Sequence, residues 1–137
     1  MSMFTIFDIA GSGMSAQSIR LNTIASNLAN ANNQASDPDS VYKARQPIFE
    51  SVLAGLNPDQ SGLGVRVTEI VESQVAPKAA YDPSNPLADK KGFVYHTNVN
   101  PIEEMANMIS ASRTFQNNIE VMNTTKQLLM ATLRMGQ

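Results

Sequence analysis

Apolar residues near the start of the chain recur at alternating steps of three and four. This spacing is that of the a and d positions of a heptad, which form one stripe along a helix. Gly11 and Gly13 each disfavour a helix by about 1 kcal/mol relative to alanine, so we expect a firm helix from about 13 to 30 and a less regular turn from about 4 to 10. The stripe consists of Phe7, Ala10, Met14, Gln17, Leu21, Ile24 and Leu28.

The opposite face of this helix carries small uncharged polar side chains, where an ordinary surface helix has lysine and glutamate. Neutral donors and acceptors of this kind suit contact with other protein better than contact with bulk water. Asparagines continue beyond the helix in "ASNLANANN" (25–33), and asparagine tolerates the left-handed conformation that ends many helices. The small polar set is Ser12, Ser15, Ser18, Asn22, Thr23, Ser26 and Asn27.

The C-terminal part of the chain predicts a second helix, from Pro101 to about Met135. Asn100 suits the N-cap, Pro101 the first helical position and Glu103 the acidic position of a capping box. A helix of this length would extend roughly 50 Å, so it needs a partner helix, and the N-terminal stripe is the obvious one. Its own apolar stripe consists of Ile102, Met105, Ile109, Phe115, Ile119, Met122, Leu129 and Leu133.

Between the helices the pattern changes to that of short strands. Leu63, Val65 and Val67 alternate with other residues, which is the period of a strand, and Pro47 forces an edge position or a break. "YDPSNPLADKKG" (81–92) has two X-Pro pairs and predicts a loop. The expected strands lie within "VYKARQPIFESVL" (41–53), "GLGVRVTEIVES" (62–73) and "FVYHTNV" (93–99).

These patterns predict an α+β fold in which long terminal helices pair in a coiled-coil-like domain around a small β-rich module of three or four strands. The predicted division is an N-terminal helix in 1–36, the β module in 37–98 and a C-terminal helix in 99–137. Charged residues and six of the seven prolines concentrate in the middle segment. The ends and the middle are therefore suited to different environments.

Composition narrows the possible functions. The 137 residues carry a formal net charge of −2, so binding to nucleic acid by phosphate neutralisation is not expected. The sequence has no cysteine and a single histidine, which disfavours disulfides and metal sites. No apolar run approaches the roughly 18 residues of a membrane span. The first residues lack the positive region of a secretory signal, which predicts either the cytoplasm or export without a cleaved peptide.

The candidates for catalytic chemistry are weak. "GSGMSA" (11–16) has the outline of a dinucleotide-binding loop, but no second strand with a ribose-binding acid follows it. His96 has no orienting carboxylate that the sequence places beside it. Glu103 and Glu104 are adjacent, so on a helix they point about 100° apart and cannot act as a facing pair. We therefore predict no enzyme activity, no cofactor and no metal site.

The segment "FDIAGSGMSAQSIRLNTIASNLANANN" (7–33) resembles the N-terminal signature of the bacterial flagellar axial proteins, the rod and hook family, with its centre at 26–32. The C-terminal segment from 103 to 137 resembles the matching C-terminal helix of that family. The short length, together with "YKARQPIFES", "YDPSNPLADKKGFV" and the ending "TLRMGQ", is most similar to proximal rod members. The resemblance covers nearly the whole chain.

This resemblance implies a structural subunit of the periplasmic rod, the shaft that carries torque from motor to hook. It implies export through the flagellar type III apparatus, without cleavage, and helical assembly with copies of itself and with other rod proteins. The family's terminal segments are commonly disordered before assembly, which implies folding coupled to assembly. We expect Asn27 and Asn30 to bond to adjoining chains, and Asn32 or Asn33 to turn the chain toward the β module. The expected assembly interface comprises Met14, Leu21, Ile24, Asn27, Leu28, Asn30, Ile109, Phe115, Ile119, Met122, Leu129 and Leu133.

Two alternatives remain open at the level of sequence. One is another subunit of the same rod. The other is a soluble helical adaptor or export chaperone, which predicts a folded dimer, whereas the rod subunit predicts a monomer with loose ends.

Overall fold

Two long helices flank five short strands in the computed structural model, which describes residues 3–52 and 64–136. This arrangement confirms the α+β class, with the β structure lying between terminal helices. The structure describes five strands, whereas the sequence predicted three or four. They form two separate sheets. The elements are α1 (Met3–Ala29), β1 (Gln34–Ala35), β2 (Arg45–Val52), β3 (Gly64–Glu72), β4 (Lys78–Tyr81), β5 (Phe93–His96) and α2 (Pro101–Met135).

Helix α1 is continuous through both of its glycines, so the expected irregular turn near its start is helical instead. A Cβ atom built on Gly13 would lie 2.9 Å from Nδ2 of Asn118 on α2, whereas one on Gly11 would meet nothing within 4 Å. The missing side chain at position 13 therefore lets the two helices approach closely. Glycine at this position lowers helix stability by about 1 kcal/mol relative to alanine. This loss is tolerated because the absence of a side chain permits the packing.

Helix α2 begins and ends where the sequence predicts. Oδ1 of Asn100 accepts a hydrogen bond from the backbone N–H of Ile102 at 3.2 Å, which is the expected N-cap. The carbonyl of Asn100 accepts the first helical bond, from the N–H of Glu104, at 3.0 Å. Acidic residues in the first turn and Arg134 in the last turn both favour the helix dipole.

The chain divides into two compact units: Met1–Leu21 with Pro47–Glu69 and Ile109–Gln137, and Asn22–Gln46 with Ile70–Met108. Each helix contributes residues to both units. The boundaries of these units do not coincide with the three predicted segments, whose division of the chain stays a prediction.

In the first unit, the start of β3 lies beside Ser12 of α1. The hydroxyl of Ser12 accepts a hydrogen bond from the N–H of Val65 at 3.2 Å, and an exposed ion pair joins Glu50 to Arg66 at 2.8 Å. Pro47 lies inside β2, where it is tolerated because both strands of a two-stranded sheet are edges. Leu63, the first residue of the predicted alternation, lies outside the described residues.

In the second unit, β5 is the central strand of an antiparallel sheet ordered β1-β5-β4. His96 is opposite Gln34 on one side and Lys78 on the other. Val94 of β5 is only 1% exposed and belongs to the core of this unit. Strand β4 has no counterpart in the predicted elements, because its sequence, KAAY, has neither a β-branched residue nor an alternating pattern.

A turn from 82 to 92 joins β4 to β5, as the X-Pro pairs predict. Its end is fixed by Asp89, whose Oδ1 accepts hydrogen bonds from the backbone N–H groups of Phe93 and Lys91, each at 2.8 Å. These bonds, with that from Phe93 the largest cause, hold the pKa of the Asp89 carboxyl below its ordinary value. Gly92 completes the turn with a φ of 81°, in the left-handed region that favours glycine.

Replacing Gly92 by alanine should destabilise the fold by about 1–3 kcal/mol, because the left-handed backbone is strained for alanine. Its new Cβ would also lie 2.9 Å from Cε2 of Tyr81. The measurement is the free energy of unfolding in denaturant. Gly11→Ala is the control, since its Cβ meets open space, and it should be neutral or stabilising by up to about 1 kcal/mol. Equal stability of the two variants would contradict this account of the turn.

The contribution of Asp89 should depend on pH. Since its pKa is lower in the folded chain, its stabilising effect is fully present above the ordinary value of 3.8 and is lost as pH falls through the folded pKa. Thermal unfolding of the wild type and of Asp89→Asn should therefore show a wild-type advantage at neutral pH that shrinks in this acidic range. An advantage that stays constant down to strongly acidic pH would show that the carboxylate charge plays no part.

Candidate functional site

Both polar atoms of the Asn27 amide form hydrogen bonds inside its own chain. This side chain is 1% exposed. Its Oδ1 accepts hydrogen bonds from the N–H of Arg45 and from the hydroxyl of Tyr42, and its Nδ2 donates to the carbonyl of Arg45, all at 2.9 Å. A buried amide needs such partners. The polar atoms of Asn27 thus bind the segment that follows α1, and contact of Asn27 with adjoining chains stays a prediction.

A second asparagine holds the same segment from another direction. Oδ1 of Asn98 accepts a hydrogen bond from the N–H of Ala44 at 2.7 Å, and its Nδ2 donates to the carbonyl of Val75 at 2.8 Å. We call Asn27 and Asn98, together with the segment 42–45 between them, the asparagine clamp. Sequence reasoning missed Asn98, because it is one of several polar residues in the stretch "HTNVN" (96–100) before α2.

Tyr42 and Arg45 extend the asparagine clamp to the surface of the unit. The Tyr42 hydroxyl lies 3.2 Å from Oγ of Ser26, and the Arg45 guanidinium lies 5.4 Å from the centre of the Tyr42 ring. Arg45 also pairs with Glu72 at 3.1 Å. Since both charged side chains are about half exposed, the ion pair contributes little stability and mainly orients the arginine over the ring.

The remaining asparagines form the turn after α1 by ordinary hydrogen bonds. Asn30 is half-buried, and its Nδ2 donates to the carbonyl four residues earlier at 2.8 Å. The N–H of Asn33 donates to the carbonyl of Asn30 at 3.0 Å, and the carbonyl of Asn33 accepts from the N–H of Thr97 at 3.2 Å. No non-glycine residue among those described has a positive φ, so this turn forms without a left-handed asparagine. Contact of Asn30 with neighbouring chains stays a prediction.

The apolar stripe of α1 lies on the covered side of the helix. All seven of its positions are buried or half-buried, including the predicted interface residues Met14, Leu21, Ile24 and Leu28. The polar exception, Gln17, has an Oε1 atom that is buried without a hydrogen-bond partner among the described residues. The small polar set divides: Ser15, Ser18 and Asn22 are exposed, Ser12 and Ser26 are half-buried, and Thr23 and Asn27 are buried.

The predicted apolar stripe of α2 does not form one face, which corrects the sequence interpretation. The six-residue step from Ile109 to Phe115 rotates the helix by about 240°, so the stripe changes sides. Phe115, Met122 and Leu129 are half-buried. The other five members are exposed: Ile102, Met105, Ile109, Ile119 and Leu133.

The covered side of α2 follows a different heptad, which we call the inner line. Each of its positions is buried or half-buried, and its steps alternate regularly between four and three. Several of its members are polar, which is why a search for apolar residues alone does not find it. The inner line consists of Glu104, Met108, Ala111, Phe115, Asn118, Met122, Thr125 and Leu129.

A second heptad on α2, which we call the outer line, is open to solvent. All of its positions are exposed except Ser112, which is half-buried. Its large apolar members include Ile102 at 81% and Leu133 at 61% exposure. Large apolar side chains exposed along a helix are typical of a surface that binds other protein. The outer line consists of Ile102, Met105, Ile109, Ser112, Gln116, Ile119, Asn123, Lys126, Met130 and Leu133.

Within residues 3–52 and 64–136, no helix has the length and hydropathy needed to cross a membrane. Over the same ranges, no cluster of histidine, cysteine, aspartate and glutamate could hold a metal ion. His96 is a half-buried residue of the central strand β5. Glu103 is exposed and Glu104 buried, so the two carboxylates do not share a surface. The arrangement offers protein-binding surfaces on its helices.

Comparisons with known proteins match both ends of the chain. A family model described as "Flagella basal body rod protein" matches residues 7–33, and one described as "Flagellar basal body rod FlgEFG protein C-terminal" matches residues 90–135. The flagellar basal-body rod proteins FlgC of Salmonella typhimurium and of Yersinia enterocolitica are each 47% identical to this chain over 137 residues, covering all of both chains. FlgC of Aquifex aeolicus is 42% identical over 132 residues, covering 96% of each.

Asn27→Leu should lower the free energy of unfolding by about 2–4 kcal/mol, because the backbone N–H and carbonyl of Arg45 lose their side-chain partner. Asn30→Leu is the matched control, since Asn30 is half-buried and its amide donates to a single carbonyl; it should cost less than about 1 kcal/mol. Denaturant unfolding of the purified variants measures both. If Asn27→Leu kept wild-type stability, the internal role of this amide would be refuted.

Proposed function

The chain belongs to the FlgC family of flagellar basal-body rod proteins, and we propose that it joins the rod by packing its exposed helix faces against neighbouring subunits. As a member of this family it is a structural subunit of the rod, the shaft that carries torque from motor to hook. Full-length similarity to FlgC proteins, at 42% to 47% identity, supports the proximal rod over other rod positions. The exposed outer line of α2 is the observation that supports this mode of assembly.

One chain cannot cover two sides of a long helix with a single partner helix. In α2 the inner line and the outer line are about 100° apart around the axis. The side chains of the inner line are covered, whereas the large apolar ones of the outer line remain in solvent. Covering an isoleucine or leucine is worth about 1.5–3 kcal/mol, so neighbouring subunits would gain stability by packing there. Repetition of a head-to-tail contact of this kind produces an open helical polymer.

The partners that follow are other copies of this chain, other rod proteins and the flagellar type III export apparatus. The proposed location is the periplasmic part of the rod, reached without a cleaved signal peptide. The family relationship supports these assignments, and the absence of cysteine from the sequence agrees with them. The role we propose is structural, with no catalysis and no cofactor.

Assembly-coupled ordering of the helical ends stays part of the proposal. Ordering a backbone residue costs about 1–2 kcal/mol in conformational entropy, so helices that expose large apolar side chains gain much of their stability from neighbours. The interface we propose includes the exposed Ile109, Ile119 and Leu133. Asn30 and the exposed serines of α1 add polar contacts.

The proposal predicts that Ile109→Glu impairs assembly. Ile109 is exposed, so the isolated variant should fold normally. A carboxylate buried in a subunit contact should reduce incorporation into the rod by roughly tenfold or more. Ser110→Glu is the control, because Ser110 is also exposed but lies off the outer line. Both are expressed as tagged chains in cells that lack the wild-type gene.

Incorporation is measured by immunoblot of isolated basal bodies, together with swimming in soft agar. Absence of the tagged wild-type chain from basal bodies would refute the rod function. Normal incorporation of both variants would refute the role of the outer line alone.

A further inference from the structure

Two charged side chains on the exposed helix faces of the first unit have no partner in the part of the chain that the structure describes. Asp8 is exposed on α1, and Lys126 is exposed on the outer line of α2. Among the described residues neither one forms an ion pair. Asp8 and Arg20 are the only charged residues before position 37. An acidic group on one exposed face and a basic group on the other indicate that these faces are complementary.

The exposed face of α1 in this unit also follows a heptad. Its steps are four, three, four and three, and four of its five positions are exposed. At the fifth, Gly11, an added Cβ would meet nothing within 4 Å. Apart from Phe4, the face has short side chains, whereas the outer line of α2 has longer ones from 116 to 130. This α1 face consists of Phe4, Asp8, Gly11, Ser15 and Ser18.

We propose that the outer line of α2 in one copy packs antiparallel on this α1 face of a neighbouring copy, with Lys126 beside Asp8. The inference rests on the proposed function, because it names the partner for the exposed face through which the chain joins the rod. It identifies that partner as a second copy of this chain.

The heptad steps determine the direction of packing. On the α1 face, the members next to Asp8 are Gly11, three residues later, and Phe4, four residues earlier. On the outer line, the members next to Lys126 are Asn123, three residues earlier, and Met130, four residues later. Only an antiparallel arrangement therefore keeps both faces in contact while the two charges meet. In this register, Gly11, Ser15 and Ser18 lie opposite longer residues, whereas Phe4 lies opposite Met130. The opposed pairs are Phe4–Met130, Asp8–Lys126, Gly11–Asn123, Ser15–Ile119 and Ser18–Gln116.

Charge also disfavours the symmetric alternatives. The outer line of α2 contains no acidic residue, so a contact between two outer lines would give Lys126 no carboxylate to pair with. The α1 face contains no basic residue, so two copies of it would leave Asp8 unpaired. The pairing of unlike faces is head-to-tail, which is the contact an open helical polymer requires.

Cysteine cross-linking tests the proposal in assembled rods. The sequence has no cysteine, so two differently tagged chains, Asp8→Cys and Lys126→Cys, can be co-expressed in cells lacking the wild-type gene. Basal bodies are then isolated and oxidised with copper phenanthroline. A disulfide needs Cα atoms within about 7 Å, so we expect a covalent dimer that carries both tags. Arg113→Cys replaces Lys126→Cys in the control, since position 113 is about 20 Å away along the helix.

Three results would overturn the pairing. They are a dimer that carries one tag twice, equal cross-linking with Arg113→Cys, and incorporation of both chains without any cross-link. In the last case the proposed rod function stands, because the chains are in the basal body. Absence of the tagged wild-type chain from basal bodies would refute the function itself.

Charge reversal gives a second test that does not depend on disulfide geometry. Asp8→Lys and Lys126→Asp should each lower incorporation several-fold by placing like charges together, and the double variant should recover it. Arg113→Glu makes the same change of charge on α2 and should leave incorporation unchanged. Failure of the double variant to recover, with both single variants impaired and the purified proteins folded, would overturn the pairing.

Discussion

The burial of the Asn27 amide is the interaction on which the second unit depends. Its oxygen and nitrogen bind backbone groups of Arg45 and the hydroxyl of Tyr42, and it has almost no contact with solvent. A charged side chain in this position would carry a large desolvation cost, and an aliphatic one would leave the backbone groups unpaired. A neutral amide avoids both costs, because it supplies a donor and an acceptor without a charge. The asparagine clamp then brings the segment after α1 back onto the helix.

The function depends on a different property, the number of faces that a long helix presents. Helix α2 has two heptad lines, of which the inner one is covered and the outer one is exposed. The inner line contains alanine, threonine and asparagine, which allow close approach, as the contact between Gly13 and Asn118 shows. The outer line contains six apolar residues of isoleucine, leucine and methionine type and remains exposed. The chain thus leaves large apolar side chains of α2 exposed, as suits a subunit of a polymer.

Local sequence rules predicted the elements with clear signals. The bounds of α2 follow from Asn100 as N-cap, Pro101 at the first helical position and the continuous helical pattern. The stripe of α1 lies on its covered side as its heptad indicates, and Pro47 lies in an edge strand. By contrast, β4 has no alternating pattern. It forms a strand because the central strand β5 supplies its hydrogen bonds. The inner line was missed because half of its positions are small or polar.

The sequence by itself determined the two terminal helices, the β-rich middle, the lack of charge at the N-terminal end and the family resemblance. Each of these depends on local propensity, periodicity or motif, which neighbouring residues along the chain define. Only the tertiary structure decided that Asn27 and Asn98 hold the segment 42–45, and that the outer line of α2 stays exposed while its inner line is covered. Those outcomes depend on which distant backbone groups need partners and how closely two helices approach. Such requirements arise between segments far apart in sequence, so no local pattern contains them.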